Sequence, residues 1–255
     1  MTETRLSFVI PARNEEALIA EVLDAILTSV SRSSGISRND LWLPDTGFEI
    51  IVVDDASEDA TSAIVGSFAG AGVRLVACVG GTCAAARNLG AAASAGRVIC
   101  FVDADTIVPD QAVDRILKLH EDDGRCLVLY RLASREPGIR AWLWWTFWGL
   151  ARCLPLARAK SMPAFMSCDR AHFEAYGPFK ACWSIAEEWP LTSAAYRFHQ
   201  ERFLYDRSLT ARTSSRRMEL QPFGYVRTFL KWISVILFPR ARTSLTDIRH
   251  ETANR

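Results

Sequence analysis

Apolar positions in the first 110 residues alternate between two periods. Residues 6–10, 49–53, 73–77 and 97–102 are short, nearly unbroken apolar runs. Runs of that length predict strands covered on both faces. Between the first two, Leu18, Ile19, Val22, Leu23, Ile26, Leu27 and Val30 recur at helical spacing, with Asn14 placed to cap the helix. Further helices are predicted over about 59–68, 82–95 and 110–121, the second closed by Gly96 as a C-cap. Residues 31–47 form a polar loop, broken only by Leu41-Trp42-Leu43. This alternation predicts an α/β fold with a mostly parallel central sheet and helices on both faces. Ligands of such sheets bind at the carboxyl ends of the strands.

The pattern becomes irregular after Tyr130. Four of the eight tryptophans, Trp142, Trp144, Trp145 and Trp148, lie between Arg140 and Arg152. The apolar part of this stretch, 141–151, spans only about 16 Å as a helix. It is too short to cross a bilayer and suits either a membrane interface or a buried helix. Residues 223–238 repeat the theme. Arg227, Lys231 and Ser234 share one helical face, and Phe223, Val226, Phe229, Leu230, Ile233 and Leu237 cover the other. That helix would lie on a membrane or dock onto the domain. The expected division is 1–110, then 111–217 as an α+β second half of the same domain, then 218–255 as an amphipathic basic tail.

The 255 residues suffice for one large domain, and a net charge of +1 gives no field for nucleic acid. The charge is unevenly spread. From Arg197 onward there are 12 Lys/Arg against 5 Asp/Glu, and before it 18 against 24. Such a basic end suits anionic lipid or phosphate, or is a solvated surface. Seven cysteines form no Cys-x-x-Cys pair, which favours a reducing compartment. The chain enters its first predicted strand within a few residues, so no signal peptide is expected. The expected location is therefore cytoplasmic, with peripheral contact to the cytoplasmic face of the membrane as the further expectation.

Candidate chemistry gathers at two predicted strand ends. Asp103-Ala104-Asp105 follows Val98-Ile99-Cys100-Phe101-Val102, and Asp54-Asp55 follows Ile50-Ile51-Val52-Val53. Two carboxylates one residue apart at a strand mouth make an oxygen-donor site for a hard divalent cation. Such an ion serves where a diphosphate is gripped and then released. The chain has no Gly-x-Gly-x-x-Gly and no phosphate loop, so dinucleotide and kinase readings fail. His172 and His199 have no metal-ligand spacing and read as structural.

Several segments in this order resemble the signatures of family 2 glycosyltransferases. They are Phe8-Val9-Ile10-Pro11-Ala12-Arg13-Asn14-Glu15-Glu16, Val52-Val53-Asp54-Asp55-Ala56-Ser57, Ala86-Arg87-Asn88-Leu89-Gly90 and Phe101-Val102-Asp103-Ala104-Asp105. The resemblance implies a GT-A fold whose first half binds a nucleotide-sugar donor. It places Pro11, Ala12, Arg13 and Glu15 against the nucleoside and Asp54 or Asp55 on the base or ribose. Arg87 would pair with base or phosphate, Asn88 would brace the strand-end loops, and Asp103 and Ala104 would meet the ribose. Asp105, with Asp103, would hold Mg²⁺ or Mn²⁺ on the diphosphate. The helix dipole is a second reason for Glu15 and Glu16, and Ser57 and Asp59 suit helix caps.

Residues 163–179 resemble the family's acceptor-side segment, which usually leads to a Glu-Asp pair whose Asp is the base of inverting members. Here the sequence is Glu187-Glu188-Trp189-Pro190. Glu188 is the first candidate base and Glu187 the second. Both also suit the opening of a helix with Pro190 in its first turn. Thr213-Ser214-Ser215-Arg216-Arg217 resembles a C-terminal segment whose arginines hold the diphosphate or face lipid. The implied function is metal-dependent, inverting transfer of a sugar from a nucleoside diphosphate to a hydroxyl acceptor, with a lipid-linked or cell-envelope acceptor favoured by the Trp-rich segment and basic tail. The alternatives are a silent nucleotide-sugar binder and a nucleotidyltransferase of similar fold. No nucleic-acid partner is expected.

Overall fold

The computed structural model describes residues 3–156, 159–160, 164–182 and 186–216, together with 226, 230 and 233. Its strands are β1 (Leu6–Ala12), β2 (Phe48–Asp55), β3 (Arg74–Cys78), β4 (Val98–Val102), β5 (Thr106–Ile107), β6 (Leu127–Ser134), β7 (Phe165–Asp169) and β8 (Phe203–Thr213). The helices are α1 (Ile19–Ser34), α2 (Thr61–Ser67), α3 (Cys83–Ala93), α4 (Ala112–Leu117), α5 (Ile139–Ala151), α6 (Arg170–Tyr176) and α7 (Trp189–Phe198). One sheet runs in the order β3-β2-β1-β4-β7-β6-β8-β5. The first four strands pair in parallel, with Ile10 opposite Val52 and Val9 opposite Phe101. Beyond β4 the sheet turns mixed: β7 is antiparallel to both β4 and β6, whereas β8 is parallel to β6. The α/β expectation therefore holds.

β1, β2 and β4 are buried almost end to end because helices cover both their faces. Ile19, Val22, Leu23, Ile26, Leu27 and Val30 of α1 are fully buried, as their spacing predicts. Two local expectations need correction. Asn14 does not cap α1, which starts five residues later. Its backbone takes a left-handed φ of 53°, its N–H donates to Ser57 Oγ (3.0 Å), and its Oδ1 accepts from Glu58 N–H (2.8 Å). It ties the turn after β1 to the turn after β2. Gly96 is no helix cap either, since α3 ends at Ala93 with Ser94 as its C-cap. A Cβ at Gly96 would lie 2.7 Å from the backbone nitrogen of Ser7, so glycine is needed there for close approach to β1.

The Trp-rich segment is the helix α5, and the expectation of a buried helix fails for it. Only Ala141 and Trp148 are buried, while Ile139, Trp142, Leu143, Phe147 and Leu150 are exposed. Among the described residues no helix is long and apolar enough to cross a membrane. Of the expected C-terminal amphipathic helix only Val226, Leu230 and Ile233 are described, each helical. Val226 and Leu230 are exposed. The rest of 218–255 lies outside the described residues.

Candidate active site

The carboxyl ends of β1, β2 and β4 open into one cavity of about 340 Å³. Pro11, Ala12, Arg13 and Glu15 supply its wall from the β1 turn, Asp55 from β2, and Asp103, Ala104 and Asp105 from the turn after β4. Sequence reasoning missed Gly81, Cys83 and Ala86, which also line it. Their signal was available, for they lead into and begin the helix that carries Arg87.

Asp54 and Asp55 part company here, because alternate residues of a strand face opposite sides. The Asp54 carboxylate accepts from the Ser57 N–H at 3.1 Å and from the hydroxyls of Ser57 and Ser62. It shapes the β2 turn and does not line the cavity. Asp55 does line it. Its Oδ2 lies 3.9 Å from Arg13 Nη1, and its buried Oδ1 has no hydrogen-bond donor among the described residues. A buried acceptor left in this way fits a donor group arriving with a ligand. Asp59 serves a turn, accepting from the N–H groups of Thr61 (2.9 Å) and Glu16 (3.1 Å).

Glu15 receives its backbone bond from the other side, its N–H donating to Thr61 Oγ1 at 2.8 Å. Its carboxylate pairs with Arg216 Nη2. Arg216 thus reaches the cavity wall from the segment after β8. Thr213 Oγ1, at the end of β8, donates to Asp105 Oδ1 at 3.3 Å, and the Ser214 N–H donates to the Asp105 carbonyl at 3.1 Å.

Arg87 is not among the residues that line the cavity. Its side chain is only 3 % exposed and lies between two acids. Nη2 donates to Asp103 Oδ1 at 2.5 Å and Nη1 to Glu187 Oε1 at 2.8 Å. Burial pulls the guanidinium pKa down, but Cys83, Asp103 and Glu187 outweigh it and the pKa is raised. Asn88, next in the same helix, clasps the backbone of Phe179, donating to its carbonyl (2.9 Å) and accepting from its N–H (2.8 Å). It braces the second half of the chain rather than the strand-end loops.

Glu187 and Glu188 sit at the start of α7 and do not line the cavity. The Glu187 side chain is 16 % exposed, whereas Glu188 is fully buried. Nearby, burial lowers the pKa of Arg152 to about 10, against the opposing pull of Tyr205 and Glu188. His172 and His199 are structural, as expected: His172 Nε2–H donates to the Leu191 carbonyl at 3.0 Å, and His199 Nε2 meets the Tyr176 hydroxyl at 3.1 Å.

Among the described residues, no group of three or more His, Cys, Asp or Glu side chains converges to hold a metal. The protein itself offers the Asp103 and Asp105 carboxylates on the cavity wall. Such a pair fits a hard divalent ion whose remaining oxygens come from a bound diphosphate.

A parallel sheet with acidic turns closing one cavity at its carboxyl end, continued by a mixed set of strands, is a fold of the GT-A type. Residues 7–173 match the family described as Glycosyl transferase family 2, and the chain belongs to that family. Over 115 residues it is 35 % identical to "Probable glycosyltransferase YdaM" of Bacillus subtilis (strain 168). That match covers 43 % of this chain and only 24 % of the relative. Among solved structures, S. aureus TarS in complex with UDP-GlcNAc is similar at a TM-score of 0.55 and 18 % identity, covering 74 % of this chain and 52 % of that one. Glucosyl-3-phosphoglycerate synthase of Mycobacterium tuberculosis, solved with Mn²⁺, UDP-glucose and phosphoglyceric acid, is similar at a TM-score of 0.60 and 18 % identity. There the match covers 91 % of this chain and 79 % of that one.

Proposed function

We propose that this enzyme transfers a sugar, with inversion, from a nucleoside-diphosphate donor to the hydroxyl of an acceptor, and that it requires Mg²⁺ or Mn²⁺. The reading is carried by the cavity that gathers Glu15, Asp55, Asp103 and Asp105 from three strand ends. Asp55 accepts from a base or ribose donor, and Pro11, Ala12 and Arg13 present a wall to the nucleoside. Asp105 and Asp103 would hold the cation, whose charge stabilises the diphosphate as it leaves. The Mn²⁺ in the mycobacterial synthase supports that requirement.

An acid near the acceptor takes the hydroxyl proton as the new glycosidic bond forms and the bond to the diphosphate breaks. Glu187, the partly exposed member of the pair, is our choice for that base. Glu188, fully buried, instead opposes the desolvation of Arg152. The exposed apolar face of α5 supports a lipid-linked acceptor and contact with an anionic membrane surface. A silent nucleotide-sugar binder is the reading that the burial of Glu188 would favour.

Release of nucleoside diphosphate from a panel of nucleotide sugars, measured with Mn²⁺, Mg²⁺ or a chelator, tests the proposal. Slow, metal-dependent release from one donor, abolished in Asp105→Ala, is expected. Release that survives both the chelator and Asp105→Ala would sink the metal-dependent mechanism. Nucleoside-diphosphate binding without release of product from any donor or acceptor would make the protein a binder.

A further inference from the structure

A second cavity, also of about 340 Å³, lies beneath α5 and is separate from the donor site. One wall is a single face of α5, where Trp142, Trp145, Gly149 and Leu150 follow one another at helical spacing, with Cys153 just past the helix end. Along the axis, Trp142 to Leu150 spans about 12 Å. The opposite wall comes from β6 and β8, with Leu132, Arg131, Tyr205 and Arg207. Trp145 is fixed as part of the wall, its indole N–H donating to Ser215 Oγ at 3.1 Å.

The charge of this cavity is one-sided. Arg131 and Arg207 line it, and Glu136 is the only carboxylate among its lining residues. Glu136 is already engaged, accepting from Ser214 Oγ (2.7 Å) and Ser215 N–H (2.6 Å). The cavity also adjoins the chemistry. Ser215 bonds the Trp145 indole and precedes Arg216, the partner of Glu15 on the donor-cavity wall.

We propose that this cavity seats the lipid-phosphate part of the acceptor. The apolar chain lies along Trp142 and Leu150, and the phosphate is held by Arg131 and Arg207. An elongated apolar slot continuous with the exposed face of α5 suits a chain rather than a compact sugar. Two guanidinium groups with no competing free carboxylate suit phosphate. This assignment rests on the reading of the chain as a transferase with an amphiphilic acceptor.

The test is calorimetric titration of the full chain with decyl phosphate below its micellar concentration, beside inorganic phosphate and the uncharged decyl glucoside. Gly149→Leu fills the slot from its helical wall. A Cβ there meets only Tyr205 Oη, at an ordinary 3.6 Å, and leucine favours a helix more than glycine does. Saturable binding of decyl phosphate is expected, at least tenfold weaker in Gly149→Leu and in Arg131→Ser/Arg207→Ser, with decyl glucoside at least tenfold weaker in the native chain. Inorganic phosphate should not compete at equal concentration. Equal affinity for decyl glucoside, or unchanged binding in either variant with its melting temperature preserved, would overturn the assignment. So would adsorption to phosphatidylglycerol vesicles, unaltered in Gly149→Leu, without saturable binding of decyl phosphate. Donor hydrolysis by the same preparations keeps failure here distinct from failure of the transferase reading, since that assay needs no acceptor.

Discussion

Arg87 joins the acid that opens the Asp-Ala-Asp turn to the acid just before α7, and so links the turn after β4 to the start of that helix. On the proposed reading it acts through these neighbours, as a positioning residue. Arg87→Ala is expected to lower kcat about 100-fold, the scale of an ångström-sized misplacement of reacting groups. Guanidine added to that variant should restore part of the rate, and Arg87→Lys should retain more activity than alanine. Full turnover by Arg87→Ala would sink the role. Between the two glutamates, Glu187→Gln should cut kcat by about 100- to 10,000-fold with the melting temperature little changed. Glu188→Gln should show the reverse pattern. The sequence ranked these two the other way, because a motif records which residue is present and not whether solvent reaches it. For the same reason it left Asp54 and Asp55 open, and only the turn built by Ser57 and Ser62 separated them.

Among the elements, α3 meets β1 and β2 so closely that its glycine is fixed by its neighbours. A Cβ at Gly90 would lie 2.3 Å from Val9 Cγ1, and the Cβ at Gly96 would strike backbone. Gly96→Ala should therefore cost about 1–3 kcal/mol, read as a melting temperature several degrees lower. Gly66→Ala is the control: it lies in α2 with nothing within 4 Å of the added Cβ. It should be stabilising by roughly 0.5–1 kcal/mol. The α6–α7 contact brings a pH dependence. Burial lowers the pKa of His172, opposed by its bond to the Leu191 carbonyl, so the folded state keeps the ring neutral. The unfolded chain binds the proton more readily, with a pKa of about 6.5. The contribution to stability is therefore complete above that pH and declines as pH falls toward the lowered folded value. Thermal melts between pH 5 and 8 should show that decline, with a shallower slope in His172→Gln.

Across the whole molecule, the order β3-β2-β1-β4 puts the turns after β1, β2 and β4 side by side, and they close on one cavity. A ligand that bridges three strand ends should raise the melting temperature markedly. Nucleoside diphosphate with Mn²⁺, at a hundred times its dissociation constant, would stabilise the fold by about 2.7 kcal/mol. Chelator should remove most of that gain, and Asp105→Ala should abolish the part that depends on metal. An equal shift with and without metal would separate nucleotide binding from the carboxylate pair.

The sequence by itself determined the α/β class, the four parallel strands and the acidic strand ends. Each of these is local: apolar runs, helical spacing and short motifs are written in neighbouring residues. Tertiary structure alone decided the rest. Burial separated Glu187 from Glu188, and a bridge between residues a hundred positions apart gave Arg87 its place. Gly96 proved to be a matter of contact with β1 rather than of helix ending. The Trp-rich helix lies with its apolar side in the open and a cavity beneath it. Exposure and long-range contact arise only when distant segments meet, which no periodicity along the chain encodes.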